Sequence, residues 1–370
     1  MPGEEALDDA IAFSRRHLRS MEGKLMSPMA EQVARALDIP LPRAPKRLET
    51  MCYIAEYPKD PKAFDSTVLE LARLDFELLR FLHLRELKDL SLWWREFYRS
   101  VNLSYARDRI VECYLWACVT FHEEEYSRAR IILTKVLALT SLMDDTYDAH
   151  ATIEECHKLN EAIQSSFAEF EDNLEPHEKY RLSYAKSAFK QLSEYYHREA
   201  QWSSDNYMPS FAEHVELSIM SSGYQMLGMV ALVGVHDGAT VTMEVFEWLA
   251  SFPDLVRASV EIGRFLNDIV SDKVRRNQKD FPSTVECYME EHGVDWEAAM
   301  VAVAALAEHA WRTINRARIE VDPARLLAAQ LVVNLTRVLE VMYHCGQDRY
   351  TFAADLKGII TNLFLDPVPM

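Results

Sequence analysis

Three aspartates stand in one short run, Asp144-Asp145-Thr146-Tyr147-Asp148. On a helix, residues three and four apart are neighbours, so these carboxylates crowd one patch. Like charges so placed repel one another and invite a hard cation. Carboxylate oxygens, with water and a substrate phosphate completing an octahedron, are what Mg2+ takes. A second group lies in Arg264-Phe265-Leu266-Asn267-Asp268-Ile269-Val270-Ser271-Asp272. Asn267 and Ser271 are four apart with Asp268 between them, so one helical turn offers an amide oxygen, a hydroxyl and a carboxylate to a second Mg2+. Arg107 and Arg109 precede both groups, and Arg264 shares a turn with Asn267. Guanidinium forks bind phosphate oxygens two at a time. Aromatic residues complete the set: Trp116 in an apolar stretch, and Tyr343 and Tyr350 around Asp348. The face of such a ring stabilises a nearby cation, more so where water is excluded.

Each group also has a plainer reading. The aspartates fit a solvated acidic helix end, the Asn267 turn a polar helix terminus, and Arg107 and Arg109 a surface pair opening a helix. Arg264 fits an intrahelical ion pair, and each aromatic residue fits ordinary core packing. The elements that must carry these residues separate the readings. The stretch 131–148 is nearly all apolar before its aspartates, too apolar for an exposed helix, and buried charges need partners or metals. The Asn267 turn likewise ends an apolar helix that runs through Leu255, Val256, Val260, Ile262 and Phe265.

Helical spacing of apolar residues recurs along the rest of the chain. Two short helices are predicted within 5–37, a Pro-punctuated connection over 38–49, and a long helix or helix pair over 66–98. The stretch 104–121 starts polar and turns apolar almost all round, which predicts a central helix. Further helices are predicted near 152–170, 177–201, 210–233, 241–250, 253–276, 283–292, 295–317, 323–346 and 351–364. No internal repeat and no low-complexity segment interrupts them.

Composition agrees. The chain has 370 residues with only 10 glycines, and none of them lies between Lys24 and Ser222. Hairpins and tight strand turns need glycine for left-handed backbone. The scarcity of glycine argues against a long β-meander, sandwich or barrel, and the lack of G-x-G-x-x-G against a dinucleotide fold. No GxxxxGK[ST] phosphate loop occurs either. Forty Lys and Arg against 58 Asp and Glu give a formal charge of −18, which argues against nucleic-acid binding. An anionic substrate therefore needs cations recruited locally. No apolar run is long enough to span a membrane. The charged first 25 residues do not read as a secretory signal. The six cysteines have no zinc spacing and read as reduced thiols of a cytoplasmic protein.

Taken in order, ARDRIVECYLWA, LMDDTYDAHAT, RFLNDIVS with STVECYMEEHGV, and the YHCGQDRYT tail resemble the plant sesquiterpene synthases. The resemblance covers about residue 40 to the C-terminus and, weakly, the stretch before. It implies an all-α fold, the class I terpene synthase helical bundle around a central apolar cavity, with a short N-terminal helical remnant. The domains expected are a remnant over 1–37, a Pro-rich linker over 38–49 and a catalytic α domain over 50–370. The implied activity is Mg2+-dependent ionisation of farnesyl diphosphate and cyclisation of the cation, with three Mg2+ ions, or Mn2+ in their place. By resemblance Asp144, Asp145 and Asp148 match the aspartate-rich motif, and Asn267 and Ser271 the first ligands of the second motif. Arg107, Arg109 and Arg264 match the diphosphate-binding arginines, and Trp116 the active-site tryptophan. Tyr343, Asp348 and Tyr350 match a tyrosine–aspartate–tyrosine set near a C-terminal lid. Ser221, Ser222 and Gly223 fall where the family breaks a helix beside the pocket.

Two departures stand out. Arg275 occupies the position of the second motif's final glutamate, which sets one metal site in question and brings a cation toward the diphosphate. The family also carries a whole N-terminal helical domain. Apolar faces that meet such a domain are exposed here on this reading and favour association, so either a monomer or a dimer is expected. Two other classes compete. A chain-elongating prenyltransferase needs a second DDxxD, where this chain has NDIVS. A catalytically impaired descendant would bind an isoprenoid or a partner chain.

Overall fold

The computed structural model describes residues 3–59, 64–148, 152–238, 240–275 and 282–367; the side chains of Asp148, Ile153, residues 272–275 and Cys345 lie outside that description. Its helices are α1 (Glu5–Ser20), α2 (Met29–Asp38), α3 (Lys46–Glu56), α4 (Ser66–Val101), α5 (Ile110–Thr120), α6 (Ser127–Asp148), α7 (Ile153–Asp172), α8 (Lys179–Ser204), α9 (Phe211–Ser221), α10 (Tyr224–Val233), α11 (Met243–Ala250), α12 (Asp254–Arg275), α13 (Thr284–His292), α14 (Trp296–Glu320), α15 (Leu326–Met342) and the short α16 (Lys357–Ile360). No strand occurs among the described residues.

Hydrophobic burial sorts these helices into layers. In α5 ten of the eleven residues are buried, and in α10 nine of ten, so these two run through the middle. Helix α6 packs on both, α10 also meets α8, and α12 lies against α14 and α15. The expected central helix is therefore α5, joined there by α10.

Ion pairs lock the bundle at the end where α6 begins. Arg130 is fully buried and grips both Glu86 oxygens at 2.8 Å, while Tyr114 and Ser127 donate to the same carboxylate. Arg128 grips Glu178 at 2.7 and 2.8 Å, and Arg181 joins that carboxylate. Asp144 sits fourteen residues beyond Arg130 on the same helix, or about 21 Å along its axis. The aspartates thus lie far along a helix that is pinned at its start.

The N-terminal part departs from expectation in one place. The connection predicted over 38–49 is shorter, because Pro45 precedes a helix that begins at Lys46. Helices α1 and α2 bury no residue. On α4 an apolar stripe faces solvent: Leu71, Leu74, Leu78 and Phe81 are 62–78% exposed at spacings of three and four.

Candidate functional site

The two arginines ahead of α5 do not open a helix, contrary to the predicted start near 104. Asn102 closes α4 in a left-handed conformation, φ 50°, and α5 begins only at Ile110. Side chains satisfy the intervening backbone instead. The Arg107 main-chain N–H donates to Asp145 Oδ2 at 2.8 Å, and the Tyr98 hydroxyl donates to the Ala106 carbonyl at 3.2 Å. Arg107 Nε adds a bond to Asp145 Oδ1 at 2.6 Å. Asp145 is buried with both oxygens held by Arg107. Asp144 points outward, 3.6 Å from Arg107 Nη2, and accepts a hydrogen bond from the Tyr196 hydroxyl at 3.0 Å. Asp148 is the last residue of α6, and its side chain lies outside the described residues.

On α12 the polar side chains divide between two sides. Asn267 donates from Nδ2 to the Tyr343 hydroxyl at 3.2 Å, which leaves its amide oxygen as an acceptor. Ser271, one turn on, is largely buried. Asp268 turns inward. It accepts from Arg264 at 3.1 Å and from the Thr284 N–H at 2.8 Å and Thr284 hydroxyl at 2.5 Å, with His214 Nε2 at 3.6 Å. Burial opposes its charge, but the Arg264 guanidinium and His214 outweigh that and hold its carboxyl well below the usual range. Asp268 is therefore not placed to replace the glutamate that Arg275 displaces. Asp272 and Arg275 themselves lie outside the described side chains.

Arg264 is committed to protein acceptors in this structure. Besides Asp268 it donates to the Ser218 carbonyl at 3.0 Å and to Ser221 Oγ at 3.4 Å. Ser221 ends α9, and Gly223 takes φ +76° before α10 starts. That positive φ suits glycine, while a Cβ there would meet Leu192 Cδ2 at an ordinary 3.4 Å contact. The helix predicted over 210–233 is thus interrupted at the residues singled out, Ser221 to Gly223.

Sequence reasoning missed Glu199. It lies on α8 among protein atoms and accepts a hydrogen bond from Ser221 Oγ. Burial pushes its carboxyl up to about 7, Arg264 and Ser221 pull it down, and Asp268 and Asp144 push it up again. Tyr196, three residues before it on α8, holds Asp144 of α6, and Ser221 joins Glu199 to Arg264 of α12, which brings the two motifs to one place. The signal was available: Leu182, Ala185, Phe189, Leu192 and Tyr196 step along one face of α8, and Glu199 is the next residue on that stripe.

Aromatic rings gather beside these groups. Trp116 is buried, with its ring centroid 6.1 Å from Tyr224 and 5.5 Å edge-on from Tyr350. The Tyr350 hydroxyl meets Ser141 Oγ and lies 3.4 Å from Cys113 Sγ. Desolvation raises the Tyr343 and Tyr350 phenols, so both stay neutral. Asp348 does not meet either phenol; its Oδ1 accepts the N–H groups of Tyr350 at 3.0 Å and Thr351 at 2.9 Å, capping their turn. Arg109 closes the group with a 2.6 Å bond to the Thr351 carbonyl.

The donors fit a hard divalent cation. Asp144, Asn267, Ser271 and Glu199 offer oxygen ligands, and a half-buried carboxylate such as Glu199 favours positive charge beside it. No ready-made cluster of three His, Cys, Asp or Glu side chains occurs among the described residues. Such an ion would be held between helices rather than in a closed protein cage.

These features define a helical protein that gathers hard oxygen donors and arginines beside an aromatic interior. Residues 95–166 and 162–313 match the model of the terpene synthase family, metal binding domain. A eudesmanediol synthase of Zea mays is 52% identical over 392 residues, spanning 100% of this chain and 70% of that protein. An alpha-copaene synthase of the same plant is 43% identical over 398 residues, spanning 100% of this chain and 74% of its own length. Isoprene synthase from grey poplar, solved with three Mg2+ ions and dimethylallyl-S-thiolodiphosphate, superposes with a TM-score of 0.89 at 25% identity, covering 100% of this chain and 74% of that one. The chain belongs to the terpene synthase family.

Proposed function

We propose that the protein ionises farnesyl diphosphate in a Mg2+-dependent reaction and cyclises the resulting cation to a sesquiterpene hydrocarbon or alcohol. The observation that carries this reading is the meeting of the two motifs on α8, where Tyr196 holds Asp144 of α6 and Glu199, three residues on, shares Ser221 with Arg264 of α12. Asp144, Asp148, Asn267 and Ser271 are the proposed ligands, with Glu199 beside them. Asp145, with both oxygens on Arg107, holds that arginine rather than an ion. Bound divalent cations neutralise the diphosphate and stabilise its charge as it leaves.

The chain's own residues do the rest. Arg107 and Arg109 donate to the diphosphate from the loop before α5, and Arg264 adds positive charge from behind Asp268. The break at Ser221 to Gly223 shapes the wall beside the substrate. Trp116, Tyr224 and Tyr350 turn aromatic surface to the hydrocarbon chain and its successive cations. The turn at 348–352, tied through Arg109 and Tyr350, keeps water from them. Asp348 has one oxygen fixed in that turn, so the released diphosphate is the favoured proton acceptor. Tyr343 closes the same wall through Asn267.

The test is incubation with farnesyl diphosphate and Mg2+, read by gas chromatography, with geranyl diphosphate in parallel. Sesquiterpene products support the reading, and longer diphosphates identify an elongase. No product, from folded protein, favours the second reading, an impaired isoprenoid binder, which Arg275 in place of a glutamate motivates. We place the protein in the cytoplasm on its cysteines; no described helix is long and apolar enough to cross a membrane. The α4 stripe is the surface through which it would dimerise, and sedimentation of a Leu74→Glu/Leu78→Glu variant tests this.

A further inference from the structure

Helices α6 and α8 are joined by two tyrosines that reach in opposite directions. Tyr196 on α8 donates its hydroxyl to Asp144 Oδ1 on α6 at 3.0 Å. Tyr147 on α6 reaches back to the Ser193 carbonyl on α8 at 3.3 Å. Their rings stack between the helices, with centroids 5.3 Å apart and planes at 21°. Tyr196 and Ser193 are three residues apart on α8, as Tyr147 and Asp144 are on α6, so each tyrosine binds one turn from the other's root. The arrangement fixes the register of the last turn of α6 against α8.

We propose, resting on the metal-dependent reading above, that Tyr196 is a positioning residue for the metal site. Its hydroxyl holds Oδ1 of Asp144 while Oδ2 lies 3.6 Å from Arg107 Nη2, so the carboxylate keeps one orientation at the metal site. Loss of the Tyr196 anchor opens further rotamers to the carboxylate, and each unproductive one lowers metal affinity. Partners of this kind typically change metal affinity 10- to 100-fold when removed. The stack has a separate duty: it holds the helices together whether or not Tyr196 bears a hydroxyl.

The two duties separate by substitution. Tyr196→Phe keeps the ring and the stack but removes the hydroxyl. Tyr147→Phe keeps the stack and leaves Asp144 with its donor. Mn2+ binding to the full chain, read by electron paramagnetic resonance in the presence of inorganic diphosphate, is the primary measurement. Tyr196→Phe is expected to weaken Mn2+ about tenfold, while Tyr147→Phe stays within about twofold of wild type. The Mg2+ concentration for half-maximal turnover rises in parallel in Tyr196→Phe, and kcat at saturating Mg2+ is retained. In an Asp144→Asn background, adding Tyr196→Phe changes Mn2+ binding no further. Circular dichroism melting verifies that the variants are folded, and the Asp144→Asn comparison covers a Tyr196→Phe protein of lowered melting temperature. Unchanged Mn2+ binding in Tyr196→Phe overturns the proposal, as do equal losses in both tyrosine variants. Wild-type protein that binds no Mn2+ instead overturns the metal-dependent reading beneath it.

Discussion

Gly263 lies on α12 where that helix passes the ring of Tyr224. A Cβ placed there would stand 2.7 Å from Tyr224 Cε2 and 2.8 Å from Cδ2. Ordinary carbon contacts begin near 3.5 Å, so the ring must retreat by about 1 Å. Little room exists for it. Trp116 lies on one side at 6.1 Å, and the Tyr343 phenol stands near that of Tyr224. In an open helix, Gly→Ala stabilises by about 1 kcal/mol. Overpacking a close-fitted core costs about 1–3 kcal/mol. Gly263→Ala should therefore be destabilising on balance, by about 0–2 kcal/mol. In a Tyr224→Ala background the same change should stabilise by up to about 1 kcal/mol, because only the helix term is left. The coupling between the two positions is thus expected at about 1–3 kcal/mol, measurable by urea denaturation of the four proteins. The displaced ring also enters the hydrocarbon site, where a shift of about 1 Å is large for reacting geometry. The product mixture from farnesyl diphosphate, read by gas chromatography, should change in Gly263→Ala. A variant that gains the full helix stabilisation in the wild-type background, with unchanged products, would refute the reasoning.

His83 is fully buried and bonded to the His122 carbonyl, and burial, with Arg130 and Arg47 nearby, pulls its imidazole down to about 3. A depressed histidine stays neutral in the fold while the unfolded chain takes up a proton near pH 6.5, so stability holds above that pH and is lost below it. Between pH 7 and pH 5 the loss is about 2 kcal/mol, and His83→Gln should remove that part of the pH dependence in thermal melts. Glu86→Gln strips the charge that faces fully buried Arg130, and breaking such a pair costs about 3–5 kcal/mol, visible as an early urea midpoint. Asp145→Asn releases Arg107 from its charged anchor. It should lower kcat/KM with farnesyl diphosphate by at least about tenfold while the ratio of products stays fixed, because the hydrocarbon wall is untouched. Removing divalent ions with EDTA should abolish turnover, and added Mg2+ should restore it.

Much of the fold was legible because burial writes a helical period into the sequence. The apolar α5 and α6 and the aspartate end of α6 followed from pattern or motif, and the break at Gly223 from the family resemblance. Failures occurred where side chains overruled that pattern. Arg107 to Arg109 looked like the start of a helix, yet Asp145 captures the Arg107 main-chain N–H and holds the loop open. Asp268 looked like a ligand by spacing alone, but Thr284, sixteen residues away, draws it inward. The Asp348 carboxylate caps its own turn, a bond that the motif's spacing does not announce. No local rule separates a carboxylate that faces a cleft from one that caps or pairs. Glu199 differs: it continues a buried stripe, and a lone charge on such a stripe is itself a reason to look for a cation.

The charges around the site explain why an anion needs cations there. Asp144 and Asp145 stand on α6, Asp268 on α12 and Glu199 on α8, against Arg107 and Arg264. These carboxylates oppose an anion, and the chain's charge of −18 opposes it further. Arg107 is partly neutralised by Asp145, and Arg264 by Asp268, so neither offers a full free charge. A diphosphate has no reason to settle there until divalent ions reverse the sign of the site. Inorganic diphosphate should consequently bind weakly without metal and tightly with it. By linkage, diphosphate should tighten Mn2+ by the same factor. Titration calorimetry with each ligand alone and in the presence of the other measures both factors. Tight binding of diphosphate to the metal-free protein would mean that the arginines alone make the site, and that the carboxylates do not set its sign.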